Sequence, residues 1–160
     1  MNETLLDIEK SASQQGFLLR IQVRRPLGLW SFKLVVAKQI SPEKIVILGE
    51  IKGWAYKGIK GLQLDTMKVA KDAPVGVGQL IWAAIMAWAI ENTPCKFARL
   101  LAIDDDDIQH KILVRYFLGK GFNLIKTIGT SIGDLPLRLV WGGSGVLMLG
   151  ECKNVLTKNL

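Results

Sequence analysis

The sequence predicts an α/β (α+β) fold, with a central mixed, mostly antiparallel sheet flanked by helices. Three observations point to it. Segments rich in β-branched and aromatic residues, separated by turn residues, fill the first half of the chain. A long apolar run at helical spacing follows the glycines of Gly76-Val77-Gly78, and a short buried strand separates that run from a second helix. At 160 residues and 49% hydrophobic composition the chain can bury one core, so residues 1–160 read as a single domain.

The elements follow in order. Residues 3–14 form a polar leader with helical character. Residues 17–23, 30–38 and 44–52 are strands, divided by the turn-like Arg25-Pro26-Leu27-Gly28 and Ser41-Pro42-Glu43. Leu62, Leu64 and Thr66 alternate with Gln63, Asp65 and Met67, which gives the next strand two distinct faces. The helix over 78–91 presents Leu80, Ile81, Ala84, Ile85 and Trp88 to the sheet. Residues 95–103 are a buried strand, 104–107 an acidic loop, and about 110–118 a second helix that stops at Gly119-Lys120-Gly121-Phe122. Residues 123–132 and 137–149 pair as strands around a Gly133-Asp134 turn, and Gly142-Gly143-Ser144-Gly145 marks a bulge or break in the last one.

Composition excludes several classes. The apolar run at 80–90 is well short of the roughly 20 residues of a membrane-spanning helix. Glu3, Asp7 and Glu9 and the lack of an apolar stretch at the start speak against a secretory or transit segment, so a cytoplasmic location and no membrane partner are expected. Cys95 and Cys152 are far apart, with no Cys-x-x-Cys or histidine cluster, and predict neither a disulfide framework nor a metal site. His110 is the only histidine, which leaves a Ser-His-Asp or Cys-His arrangement without support. Residues 1–71 carry a net charge of +6 out of the chain's +7, which suits a polyanion. Its lysines and arginines form no compact stripe, so a nucleic-acid partner is not expected.

Gly76-Val77-Gly78 opens directly onto the apolar helix. Glycines let backbone N–H groups approach a ligand, and a helix N-terminus favours an anion, so together they can cradle a phosphate. This strand, Gly-x-Gly turn, helix, strand, helix, Gly121-Phe122 order resembles the GNAT superfamily of N-acetyltransferases, which bind acetyl-CoA or another acyl-CoA. The resemblance covers residues 62–122 well. It implies a GNAT-like fold, an acyl-CoA co-substrate and transfer of the acyl group to an amine, whether of a small molecule or a protein.

Carried onto this sequence, the resemblance places the phosphate cradle at Val75, Gly76, Val77, Gly78 and Gln79, and the pantetheine edge at Met67, Lys68 and Val69. His110 and Phe117 fall on the family's asparagine and tyrosine positions of the second helix, and also face the ligand. Phe117 has no proton to give to the leaving thiolate. Tyr116 is adjacent but points about 100° away; it and Tyr56 are the other hydroxyls that could serve. Asp65 or Glu50 could accept the amine proton through water. Asp72 stands near the position where the family has arginine or glutamine and would repel a pyrophosphate unless it points away. Trp54 and Tyr56, in a Gly-rich loop, are the expected acceptor contacts. A catalytically inactive binding module on the same fold is the competing expectation, and a homodimer is compatible with either.

Overall fold

A computed structural model of the chain describes residues 3–103, 107–128 and 145–160. Helix α1 (Leu5–Gln14) leads into strands β1 (Leu18–Arg24), β2 (Trp30–Ser41), β3 (Lys44–Ala55) and β4 (Leu62–Val69). Then follow α2 (Val77–Asn92), β5 (Phe97–Ile103), α3 (Asp107–Lys120), β6 (Phe122–Ile128), β7 (Gly145–Glu151) and α4 (Cys152–Lys158). The strands make one seven-stranded sheet in the order β1-β2-β3-β4-β5-β7-β6. Neighbours run antiparallel except β4 and β5, which are parallel. The molecule is thus a mixed α/β structure with a mostly antiparallel sheet.

The polar leader is a helix because Thr4 and Asp7 close a capping box. The Asp7 N–H donates to Thr4 Oγ1 at 3.2 Å, and the Thr4 N–H donates to the Asp7 carboxylate at 3.1 Å. Those hydrogen bonds hold the Asp7 carboxyl below its usual range. The Leu5 N–H donates to Glu91 at 2.8 Å and ties α1 to the far end of α2.

Helix α2 is buried on every side, not through one face as its spacing suggests. Ile81 to Ala89 are buried without interruption. The sheet lies along one side, and α1, α3 and α4 pack around the rest in the same core. Ala83, Ala84, Ala87 and Ala89 let these neighbours approach closely, while Trp82, Ile81, Ile85 and Met86 fill the volume. Burying each large side chain contributes about 1.5–3 kcal/mol. No helix among the described residues is long and apolar enough to cross a membrane.

Several expectations change. Leu62, Gln63 and Leu64 are all buried, so β4 does not keep the simple two-faced alternation. It is flanked by strands at this end, and its register slips one residue further on: Gly53 pairs with Leu64 and Lys52 with Thr66, leaving Asp65 without an opposite residue. Asp65 is therefore a β-bulge. Trp54 lies inside β3, not in a surface loop, and only Tyr56 follows the strand. Asp107 opens α3 rather than closing an acidic loop. Helix α4 was not anticipated, although Cys152, Val155 and Leu156 carry its buried face at helical spacing. The predicted strand ends and turn within residues 129–144, and Asp104 to Asp106, lie outside the described residues.

Gly53 sets the bulge. A Cβ there would run into the Gln63 carbonyl oxygen and the Phe32 ring, so β3 and β4 come this close only because the side chain is missing. Gly53→Ala should destabilise the protein by about 1–3 kcal/mol in denaturant unfolding, because backbone must move to admit the methyl. An unchanged midpoint would show that the close approach is dispensable.

Candidate functional site

The parallel pairing of β4 with β5 lasts only three residues. Leu62 meets Ala98, Gln63 meets Arg99 and Leu64 meets Leu100, and there it ends. From Thr66 to Val69 β4 pairs with β3 alone, so its other edge has no strand partner among the described residues. An unpaired edge holds free main-chain donors and acceptors. The two strands fork where the Asp65 bulge begins.

A cavity of about 510 Å³ lies beside this edge, on the sheet face that carries the helices. Met67 and Val69 line it from β4, Gly76, Gly78 and Gln79 from the start of α2, and Leu113, Tyr116, Phe117 and Lys120 from α3. Val75 stands at its rim, fully exposed. Gly76 is the N-cap of α2 with φ 100°, a left-handed conformation that favours glycine, and it brings no side chain to cap the helix. The Val77 N–H donates to the Pro74 carbonyl at 3.4 Å and the Leu80 N–H to the Gly76 carbonyl at 2.9 Å. Between them, the amides of Gly78 and Gln79 have no acceptor among the described residues. Those two N–H groups, at the positive end of a sixteen-residue helix, belong to residues that line the cavity.

Tyr116 projects to the same place. Its hydroxyl accepts a hydrogen bond from Trp82 Nε1 at 3.0 Å, and a Cβ at Gly78 would sit 3.5 Å from it. Because the oxygen accepts from the indole, its own proton is left to donate into the cavity. Burial raises the Tyr116 pKa above its usual 10.0, while the Trp82 hydrogen bond opposes that rise. The proton therefore stays on through neutral pH. Lys120 Nζ lies 5.4 Å from the Tyr116 ring centroid, and partial burial lowers its pKa. Phe117 turns inward, edge-on to Trp82 and Phe122 with ring centroids 6.1 Å away in each case, yet still borders the cavity. Adjacent positions on α3 thus divide the work between a hydroxyl at the turn and an apolar wall.

The remaining candidates separate. Val77 has its side chain wholly in the core, against the space left by Gly49, so only its main chain could serve a ligand. Lys68 pairs with Glu50 across the strands and shares its face, on the reverse of the sheet; the Ala70 N–H bond to the Leu48 carbonyl fixes a ladder phase that turns the Lys68 main chain to β3 as well, so Met67 and Val69 carry the free edge. Glu50 lies between Lys33 Nζ at 3.7 Å and Lys52 Nζ at 3.8 Å. Asp65 lines a second cavity of about 470 Å³ on that reverse face and accepts from Gln63 Nε2 at 3.0 Å. Asp72 is exposed and does not line the first cavity. His110 belongs to α3, and its side chain lies outside the described residues. The structure thus gathers Met67, Val69, Val75, Gly76, Gly78, Gln79, Tyr116 and Phe117 around one cavity, and sets Asp65 and Glu50 on the other side of β4.

Sequence reasoning missed Lys120, Leu113 and the Trp82 donor. Trp82 carried a usable signal, since a buried indole N–H needs an acceptor. Thiol chemistry finds no support here: burial pushes the Cys152 pKa up to about 12, and Cys95 is buried as well. Among the described residues no three His, Cys, Asp or Glu side chains come together to hold a metal. Neither a protein-family model nor a curated protein matches the chain.

The Trp82 hydrogen bond can be measured directly. In a Tyr56→Phe background, where Tyr116 is the remaining tyrosine, Trp82→Phe should shift the ultraviolet titration of Tyr116 to higher pH. Loss of the bond should also cost about 0.5–1.5 kcal/mol of stability, before any packing loss. A titration that does not move would mean the indole does not hold the hydroxyl.

Proposed function

We propose that the chain adopts a GNAT-type fold, binds an acyl-CoA along the free edge of β4 and transfers the acyl group to an amine on the reverse face of the sheet. The single observation that carries this reading is the fork at β4 and β5, beside a glycine turn with two unpartnered amides. A pantetheine arm carries amide groups that an unpaired strand edge can match, and a pyrophosphate suits the N-terminus of α2.

The lining chemistry fits such a molecule. The amides of Gly78 and Gln79 and the Lys120 ammonium suit phosphate oxygens, and Met67, Val69, Leu113 and Phe117 suit an alkyl chain. When bound, an acyl-CoA supplies a thioester carbonyl carbon for an amine to attack; a C–N bond forms and the C–S bond breaks. Asp65, on the acceptor side, takes the amine proton, directly or through water. The Tyr116 hydroxyl, beside Gly78, donates to a phosphate oxygen, and the departing sulfur takes its proton from solvent. The fork in the sheet lets the two sides meet, since no β4–β5 ladder closes it beyond Leu64. A non-catalytic binding module is favoured by one observation: Phe117, not a tyrosine, stands at the family's acid position.

Calorimetric titration with acetyl-CoA should show binding, and Gly78→Asp should abolish it by adding a carboxylate where the phosphate must approach. Circular dichroism must show that variant folded. Absence of binding to the wild type would overturn the proposal. With a thiol-release assay over a panel of amines, Tyr116→Phe should weaken acetyl-CoA affinity by about fivefold or more and leave kcat at saturating acetyl-CoA unchanged. Unchanged affinity with a large loss of kcat would make Tyr116 the acid and not a phosphate contact. Binding without any thiol release in the wild type would establish the binding module.

A further inference from the structure

The reverse face of the sheet, opposite the helices, is built to receive an anion. Cross-strand register places Gln22, Lys33, Lys52 and Thr66 in one row, and Arg24, Ser31, Trp54, Gln63 and Arg99 in the next. The cavity of about 470 Å³ is sunk into these rows, with Arg24, Lys33 and Lys52 as its cations, Trp54 as its apolar wall and Asp65 as its one carboxylate. Glu50 is shared by Lys33 at 3.7 Å and Lys52 at 3.8 Å, so the two lysines keep one net positive charge between them, and Arg24 has no carboxylate partner among the described residues. Arg99, at the end of the second row, has its Nε buried with no hydrogen-bond partner among the described residues. Arg99 does not line the cavity and stands at its β5 end, opposite Arg24, so the anion site is carried by Arg24, Lys33 and Lys52.

We infer that this groove binds an acceptor amine carrying a carboxylate or phosphate a few bonds from its nitrogen. The inference rests on the acyl-transfer reading for the word acceptor, but the groove's preference stands on its own residues. The anionic end meets Arg24, Lys33 and Lys52, and the ammonium end meets Asp65. That order has a chemical consequence. Asp65 is the bulge residue directly after the last β4–β5 pair, at the level of the strand fork, so the end of the ligand that must lose a proton and attack lies nearest the fork, and the cations hold the other end away from it. A diamine would set a positive charge against Arg24, Lys33 and Lys52, and a plain alkylamine would leave them unmatched.

The test compares β-alanine, O-phosphoethanolamine, ethanolamine and putrescine, by ligand-observed NMR without CoA and by thiol release with acetyl-CoA. The carboxylate and phosphate probes separate the two possible anions. At least one of them should bind about tenfold more tightly than ethanolamine, the range expected of a charge-assisted hydrogen bond. Lys52→Gln and Arg24→Gln should each shrink that preference several-fold and leave acetyl-CoA affinity unchanged. Asp65→Asn should lower kcat far more than it changes the preference for an anion. Equal binding of ethanolamine and both anionic amines, or a preference untouched in folded charge variants, would overturn the inference. If acetyl-CoA fails to bind while anionic amines do, the acyl-transfer reading falls and the groove stands. If acetyl-CoA binds and no anion preference appears, the groove inference falls alone.

Discussion

The bulge at Asp65 is the constraint on which the site depends. β3 and β4 approach so closely at Gly53 and Gln63 that the register must slip, and the slip leaves Asp65 unpaired at the level where β4 leaves β5. A straight, fully paired β4 would have continued the parallel ladder past Leu64. Its main-chain groups would then be spent on β5, and the helix-side cavity and the reverse groove would be sealed from each other. The same slip aims Asp65 and Thr66 together at the reverse face, while Met67 and Val69 return to the helix side. One missing side chain, at Gly53, thus sets the bulge in a strand that borders a cavity on each face.

The rest of the structure holds that strand still. α2 begins at the glycine turn and is buried over almost its whole length, so the amides of Gly78 and Gln79 are fixed by the core and not by a mobile loop. Trp82, one turn into α2, reaches from the core to fix the Tyr116 hydroxyl, and Phe117 and Phe122 wedge α3 against the same indole. A site made from loop tips would lose this rigidity to solvent exchange. Here the polar groups are few, and each sits at the end of an element whose other end is core.

The sequence made local matters legible and long-range ones not. The strands around residues 17–23, 30–38, 44–52 and 62–67, both helices after them and the helical character of the polar leader follow from residue spacing and turn chemistry, and they are found with ends shifted by a few residues. The Gly76-Val77-Gly78 turn and its neighbours on β4 also stood out, because glycines before an apolar helix are a local signal. The bulge did not, since it arises from contact between Gly53 and Gln63, ten residues apart and across a hairpin-like return. Strict alternation was therefore the wrong rule for β4. The place of Tyr116 was hidden for a related reason: a 100° step predicts direction around α3, but not that a wide cavity would border both directions. The basic groove needed the register of four strands, which no spacing along the chain encodes.

If an acyl-CoA lies along the free edge of β4 as proposed, amide hydrogen exchange with and without saturating acetyl-CoA reads that edge directly. Slowed exchange is expected at Met67 and Val69, whose N–H groups face the free edge, and at Gly78 and Gln79, with Thr66, Lys68 and the β1–β2 ladder unchanged. Acetyl-CoA binding that leaves those amides exchanging at their free rates, or that protects a different surface, would contradict it.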